Sequence, residues 1–198
     1  MSQNNFIVLK QGLNKILITL LISVFFHLFI SDMLAYIGYF MTFICIFIYR
    51  NPMRNNFSKD VSKIFSPIDG KIVAIDKTKN KQKIVIDVSM CNTHLVTAPK
   101  SANMIMKNYK NGLNLNHNTY KAKKLNNQTT LKFNDIKVKF ISGICNPKIN
   151  FINSIEVELG DEIGVFMQGL VIVELPLTYN IEVSLNEKVY SNKTLLCK

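Results

Sequence analysis

Two long apolar runs near the start of the chain constrain its fold more than any other feature. Residues 16–30 and 33–49 contain no Asp, Glu, Lys or Arg, and only Ser31 and Asp32 separate them. As helices the runs would span about 22 to 26 Å, slightly less than the roughly 30 Å hydrocarbon core of a bilayer, and flanking residues or local thinning can absorb the difference. Neither run has a polar face, so a hairpin buried in a soluble core is the poorer interpretation. No small-residue cleavage site separates the runs, which argues against a signal peptide.

Positive charge on both sides of the runs indicates their orientation. Two basic residues precede the runs and two follow them, whereas the connection carries only Asp32. The four basic residues are Lys10, Lys15, Arg50 and Arg54. By the positive-inside rule, both ends face the cytoplasm. We therefore expect a transmembrane helical hairpin in residues 1–50, with helices at about 13–30 and 33–49, in the inner (cell) membrane. Residues 51–198 would form a second domain on the cytoplasmic side.

The second domain is basic. Residues 51–198 contain 21 of the 24 Lys and Arg residues and 12 of the 13 Asp and Glu residues. No RNA-binding signature, zinc spacing or basic motif with interleaved aromatic residues occurs, so the sequence predicts no nucleic-acid partner. With a membrane anchor in the same chain, attraction to anionic lipid headgroups is the simpler interpretation of the lysines. A solvated basic surface with no partner is the alternative.

Short β-like segments dominate this domain. Residues 71–76 and 83–89 are rich in β-branched residues and are joined by a lysine-rich turn. Residues 129–144 alternate apolar and polar side chains around a turn at Asn134-Asp135, and residues 169–176 read as another buried strand. The sequence predicts a mostly β fold, a compact sandwich or barrel-like domain of many short strands.

Three weaker segments complete this interpretation. Residues 152–164 are expected to contribute a strand, and residues 179–184 and 194–197 are expected to complete the sheet. The Asn- and Lys-rich residues 106–128 are expected to form a long surface loop.

The cysteines indicate no metal site. Cys45, Cys91, Cys145 and Cys197 are far apart and form no C-x-x-C pair. In a domain that faces the cytosol, we expect them to be reduced and packed in the structure.

Two polar residues are candidates for chemistry. Asp69 lies in the turn S-P-I-D-G that leads into a predicted strand, where the plainer interpretation is a carboxylate that hydrogen-bonds its own turn. His94 lies in an otherwise uncharged segment, where a histidine is more often structural than catalytic. His27, in the first apolar run, and His117, in the Asn-rich segment, are weaker candidates.

Four stretches, taken in order, resemble the short, bacterial-type phosphatidylserine decarboxylases. They are YRNPMR (49–54), FSPIDGKI (65–72), CNTHLVTAP (91–99) and ELGDEI (158–163) followed by GLVIVELP (169–176). The corresponding family stretches read F-R-N-P-x-R, S-P-A-D-G, F-N-V-H-V-N-R-I-P and G-D-x-V followed by F-G-S-R-V-D-x-Y-L-P. The resemblance covers nearly the whole chain, with its weakest part between residues 103 and 155.

The resemblance implies a proenzyme that cleaves itself. In the family, the serine of a Gly-Ser pair attacks the preceding carbonyl, and the chain is cut to leave a pyruvoyl group. That group is the electron sink for decarboxylation of phosphatidylserine to phosphatidylethanolamine, in phospholipid biosynthesis. By position, Asp69 and His94 match the family's acid–base residues.

The serine itself is missing. Gly169 matches the family's glycine if one residue is deleted beyond it, and Leu170 then stands in the serine's place. Without a gap, Gly169 itself takes the serine's place. The eight glycines are followed by Leu, Tyr, Lys, Leu, Ile, Asp, Val and Leu, so no Gly-Ser pair exists in the chain. Thr97 and Pro147 also stand where the family has arginines.

Three hypotheses follow. The first is a membrane-anchored pseudoenzyme without a pyruvoyl cofactor or metal, which binds phosphatidylserine or another anionic lipid or pairs with an active decarboxylase paralogue. The second is a working decarboxylase with a displaced reactive residue, for which the nearest hydroxyls and thiol are Ser142, Ser154, Ser184 and Cys145. The third is a membrane-tethered adaptor domain with no lipid chemistry.

Overall fold

The computed structural model describes residues 8–51, 63–145, 150–152 and 156–198. The chain divides into two compact units, residues 2–53 and 54–198. Arg54, Pro147 and Ser154, all named above, lie outside the described residues.

The first unit contains two helices, α1 (Lys10–Phe29) and α2 (Asp32–Ile48). They bury small or polar side chains, since Ser23 and Ala35 are fully buried, and a side chain on Gly38 would overlap Ser23. Most of their large apolar side chains are exposed instead. The segment Gly12–Phe29 is long and apolar enough to cross a membrane, whereas α2 is shorter.

The second unit is mostly β, as the sequence predicts. It contains one short helix, α3 (Tyr120–Leu125), among its described residues. Its strands are β1 Ile64–Phe65, β2 Gly70–Lys77, β3 Gln82–Val88, β4 Leu95–Thr97, β5 Ala102–Lys110, β6 Gln128–Phe133, β7 Ile136–Ser142, β8 Asn150–Phe151, β9 Glu156–Val157, β10 Glu162–Val165, β11 Gly169–Leu175, β12 Lys188–Val189 and β13 Leu195–Cys197.

One large antiparallel sheet organises this unit. Its strand order is β12-β2-β3-β11-β7-β6-β5-β9. Two smaller sheets accompany it, one with the order β4-β10-β8 and one that pairs β1 with β13. Among the described strands, β12 and β9 are the two edges of the large sheet, which is therefore open and does not close into a barrel.

The core lies on one face of the large sheet, because alternate residues of each strand point to that face. Ile84 and Ile86 of β3, Val171 and Val173 of β11, and Val138 of β7 are all fully buried. Along each strand, the residues that alternate with these point to the outer face of the sheet, where they are more exposed on most strands. The alternation that predicts these strands in the sequence is thus the alternation of core and outer face.

The strands predicted from alternation are confirmed. Residues 71–76 and 83–89 correspond to β2 and β3, and the turn in residues 129–144 separates β6 from β7. Asn134 adopts a positive φ of 52° in that turn, a conformation that asparagine tolerates well.

Three predictions for this unit are wrong. Residues 106–128 are not one long loop, because β5 continues to Lys110 and α3 follows. Residues 179–184 form no strand and contribute only a bridge between Ile181 and Cys197. Strand β13 pairs with β1 and lies outside the large sheet. The loop prediction for residues 106–128 is wrong because β5 is exposed on both faces beyond Met104. Its sequence therefore shows no alternation of apolar and polar residues.

Candidate functional site

The start of β11 is the position at which the sequence resemblance requires a serine. Gly169 has φ +141°, a conformation that side-chain-bearing residues rarely adopt. A Cβ there would overlap the carbonyl oxygen of Ile141 and would lie 2.9 Å from Gly143 N and from Phe166 Cζ. A serine does not fit at position 169 without a shift of the backbone.

Leu170 follows with its side chain on the outer face of the sheet. It lies between Asp87 of β3 and Ile141 of β7, its two cross-strand partners. Only 5% of Leu170 is exposed. The position therefore holds a buried hydrocarbon beside a carboxylate, with no hydroxyl of its own.

Asp69 is held by a different part of the chain. It is buried directly before β2, and its Oδ1 accepts a hydrogen bond from Ser191 N at 2.7 Å. The hydroxyl of Ser191 lies 2.8 Å from that of Thr97 and 3.3 Å from the carbonyl oxygen of Pro67. The carboxylate thus ties the S-P-I-D-G turn to a loop 122 residues away, beyond the local turn that the plainer interpretation expected.

His94 is 1% exposed and directly precedes β4. Its carbonyl oxygen accepts a hydrogen bond from Phe166 N at 2.9 Å, and the next residue, Leu95, pairs with Val165 of β10. The imidazole is therefore carried by backbone that connects to the segment directly before Gly169.

The structure brings the three candidate segments to one end of the large sheet. Lys71, two residues after Asp69, and Leu170 are both paired with Asp87. His94 reaches the same end through Phe166, three residues before Gly169. Candidate residues far apart in sequence thus lie on backbone segments that meet at one end of the sheet.

One acid–base pair near this end was not expected. His117 is buried rather than on a surface loop, and its Nε2 lies 2.8 Å from Asp87 Oδ1. Its Nδ1 would be 2.9 Å from a Cβ on Gly143, whose backbone N–H donates to the carbonyl oxygen of Gln168. The imidazole therefore reaches from β3 toward β7 across the start of β11. Thirty residues separate His117 from Asp87, and no sequence pattern links them.

A charged network lies elsewhere in the unit. Lys100 is 7% exposed and donates to Asp135 Oδ1 at 2.9 Å, while Tyr179 donates to Asp135 Oδ2 at 2.8 Å. Burial alone would raise the pKa of Asp135, but hydrogen bonds from Lys100 and Tyr179 outweigh it and hold that pKa below its ordinary value. Burial would likewise lower the pKa of Lys100, and its two partners raise it overall. This network joins the segment after β4 to the turn between β6 and β7 and to the segment after β11.

The cysteines are free, and not all of them are packed. Cys197 is buried, and burial raises the pKa of its thiol to about 12. Cys91 is exposed, in contrast to the expectation from the sequence. Across the described residues, no group of three or more His, Cys, Asp or Glu side chains could hold a metal ion.

Comparisons with known proteins give the family of the chain. The family model for phosphatidylserine decarboxylase matches residues 40–197. The phosphatidylserine decarboxylase proenzyme of Amoebophilus asiaticus is 32% identical over 168 residues, which cover 77% of this chain and 74% of that protein.

Two archaeal proteins are also similar. A Methanosarcina mazei protein, provisionally named an archaetidylserine decarboxylase proenzyme, is 28% identical over 169 residues, or 82% of this chain and 79% of that protein. Its Methanosarcina barkeri counterpart is 29% identical over 168 residues, or 82% and 80% of the two chains. No solved structure matches the chain. The family model alone spans well over half of the sequence, and the chain belongs to the phosphatidylserine decarboxylase family.

Proposed function

We propose that the chain is a member of its family that does not process itself, remains anchored in the inner membrane, and binds phosphatidylserine or another anionic phospholipid through residues 51–198. One observation carries the first part of this proposal. The backbone at Gly169 excludes a side chain, so Gly169 takes the place of the family's glycine and Leu170 takes the place of its serine.

A self-generated pyruvoyl group is the cofactor that the family implies, and the residues here do not fit it. Its formation needs a side-chain oxygen that attacks the preceding carbonyl and is then eliminated. Leu170 offers only hydrocarbon, and a hydroxyl on residue 169 would require a Cβ where the carbonyl oxygen of Ile141 lies. No catalytic step is therefore assigned to Asp69 or His94, which occupy the family's acid–base positions.

Asp69 has a structural task that explains its presence without catalysis. Its hydrogen bond with Ser191 N is buried, and removal of the carboxylate would leave that N–H without its acceptor. An unsatisfied buried donor costs about 1 to 3 kcal/mol. A chain that has lost the chemistry therefore still benefits from this aspartate.

The membrane part of the proposal rests on the first unit. Two connected helices bury Ser23, Ala35 and Thr42 and expose many Leu, Ile and Phe side chains. In water this arrangement would be unfavourable, whereas in a bilayer small residues pack helices together and large apolar residues face lipid. The flanking Lys15 and Arg50 suit a hairpin with both ends in the cytoplasm.

Lipid binding is supported by the charge of the second unit and by the family. The names of the similar proteins specify lipids with a serine headgroup, in archaeal or phosphatidyl form. Such headgroups on an anionic bilayer attract basic surfaces at short range. Association with an active paralogue would place the same basic surface beside that enzyme's substrate.

A second candidate function is an active decarboxylase with a displaced nucleophile, and Ser142 is the residue that favours it. Its hydroxyl is fully buried and makes no hydrogen bond with a described residue, and Ser142 is the β7 partner of Gly169. Ser142 nevertheless follows Ile141 rather than a glycine and is paired within a continuous strand. Ser184 is exposed at a turn, and its backbone N–H donates to Glu187.

The intact mass of the full chain, purified from membranes, tests the proposal first. We expect one uncut chain at the mass of the sequence. Two fragments, the smaller blocked at its N-terminus by a keto group, would establish the second candidate. If Ser142 is the nucleophile, the cut lies between Ile141 and Ser142, and a Ser142→Ala variant abolishes it. Lipid association is tested separately, by comparing flotation with phosphatidylserine vesicles and with vesicles of neutral lipid.

A further inference from the structure

The outer face of the large sheet carries a group of lysines over β5, β6 and β7. The opposite face of these strands is core, where Leu131, Phe133 and Val138 are fully buried. Alternation therefore sends the intervening lysines outward. We define the lysine face as Lys110, Lys132, Lys137 and Lys139 on the sheet together with Lys123 and Lys124 on α3.

The strand register places these lysines side by side. Lys132 of β6 is directly opposite Lys137 of β7, and Lys139 lies two residues further along the same face. Like charges directly opposite each other destabilise a sheet. The fold therefore keeps a repulsive pair at this position that opposite charges or polar side chains would relieve.

Few acidic residues lie near the group. Within the described parts of the chain, none of the six lysines is ion-paired with an acidic side chain, and residues 88–134 contain no Asp or Glu. Glu174 of β11 is directly opposite Lys137 in the register, but its carboxylate pairs with Lys81 at 2.8 Å and Lys83 at 3.2 Å.

Lys139 lies close enough to other lysines of this face to be affected by their charge. Burial is the main cause that lowers the pKa of Lys139. Glu174 raises that pKa, and the positive charges of Lys110 and Lys83 lower it.

Helix α3 extends the lysine face at its edge. Gln128, on the outer face of β6, donates to the carbonyl oxygen of Lys123, and Lys110 Nζ donates to that of Lys124 at 2.8 Å. Two exposed apolar side chains accompany the lysines, Ile105 at 54% and Tyr120 at 72% exposure. Lys124 Nζ lies over the Tyr120 ring at 5.0 Å.

We propose that the lysine face is the surface through which residues 51–198 contact an anionic phospholipid bilayer. This inference rests on the proposed function and specifies where the lipid contact is made. An exposed tyrosine and isoleucine among lysines suit the headgroup boundary of a bilayer. The exposed apolar helices in the same chain favour a bilayer as the partner. A nucleic acid offers no apolar environment that would cover their side chains.

The test uses the full chain reconstituted in lipid nanodiscs of phosphatidylcholine, with and without phosphatidylserine. Both discs accept the apolar helices, so the anchor is the same and only the headgroup charge differs. Each lysine is labelled briefly with an amine-reactive reagent, and its labelling rate is read by peptide mass spectrometry. Lys77, Lys79 and Lys193, which are exposed away from the lysine face, serve as internal controls.

We expect phosphatidylserine to slow the labelling of Lys132, Lys137 and Lys123 about threefold or more while the three control lysines change little. The protection should disappear at about 0.5 M salt, where screening shortens the range of these charges to a few Å. A triple variant, Lys132→Gln, Lys137→Gln and Lys139→Gln, should lose the phosphatidylserine-dependent change in the remaining face lysines. The matched variant Lys77→Gln, Lys79→Gln and Lys193→Gln should keep it.

Three results would overturn the inference, and they are distinguishable. Protection of the control lysines, without protection of the lysine face, would show that the protein binds lipid through a different surface. The absence of any phosphatidylserine-dependent protection, at low salt, would remove the anionic-lipid part of the proposed function as well. Stronger protection of the lysine face by a short oligonucleotide than by phosphatidylserine discs would assign this surface to nucleic acid.

Discussion

The S-P-I-D-G turn and the start of β11 differ in what the backbone requires of them. In the turn, the side chain matters, because Asp69 accepts a buried hydrogen bond from Ser191 N. At the start of β11, the absence of a side chain matters, because Gly169 adopts a backbone conformation that only glycine adopts readily. The same fold thus depends on a carboxylate at one motif and on a glycine at the other, whatever chemistry either position carries.

The largest expected effect is that of Gly169→Ser. Its side chain would meet the carbonyl oxygen of Ile141 at a positive φ, so we expect a loss of about 3 kcal/mol or more in the free energy of unfolding. Leu170→Ser, which puts the hydroxyl one residue later, creates no such overlap, although truncation of a buried leucine itself costs about 2 to 5 kcal/mol. Pulse proteolysis in urea on the detergent-solubilised full chain gives both values. A loss of less than about 1 kcal/mol for Gly169→Ser would show that the backbone does not require glycine there.

Asp69→Ala is expected to have the next largest effect. It leaves Ser191 N without its acceptor in a buried position, at about 1 to 3 kcal/mol. Asp69→Asn keeps an oxygen at that place and should recover most of the loss, measured in the same urea titration. If Asp69→Ala left stability unchanged, the aspartate would have no structural task, and its presence would again suggest catalysis.

A pH titration tests whether the charge of Asp135 stabilises the fold. The pKa of Asp135 is lowered on folding, so its contribution to stability is complete above the ordinary aspartate pKa near 4 and is lost as the pH falls through the lower folded-state pKa. Asp135→Asn should therefore lower the unfolding temperature at about pH 6 and have a much smaller effect at about pH 2. An equal change in unfolding temperature at the two pH values would mean that the charge of Asp135 contributes nothing to stability.

The smallest expected effect is that of Lys132→Glu. Opposite Lys137, a glutamate converts a repulsive cross-strand pair into an attractive one, and the free energy of unfolding should rise by a few tenths of a kcal/mol, up to about 1. The control, Lys79→Glu, changes the net charge equally at an exposed turn position. A variant at Lys132 that is no more stable than the control would show that the repulsion is already screened by solvent.

Local pattern in the sequence was enough to predict the central strands. Residues of β2, β3, β6, β7 and β11 are half or fully buried in alternation, and burial on one face imposes that alternation on the sequence. Strand β5 and helix α3 were missed because their side chains are mostly exposed and leave no periodic signal. Residues 179–184 alternate without forming a strand, since tertiary packing gives them only the Ile181 bridge.

The sequence by itself determined the family, the mostly β fold and the absence of any Gly-Ser pair, because each of these is a property of residue order. It left two alignments open at residues 169 and 170, and only the structure shows that the backbone at Gly169 excludes a side chain. Only the tertiary structure paired His117 with Asp87 and assembled lysines from four chain segments on one face. Contacts between residues far apart in sequence depend on strand register, and register is set by the packing of the whole sheet.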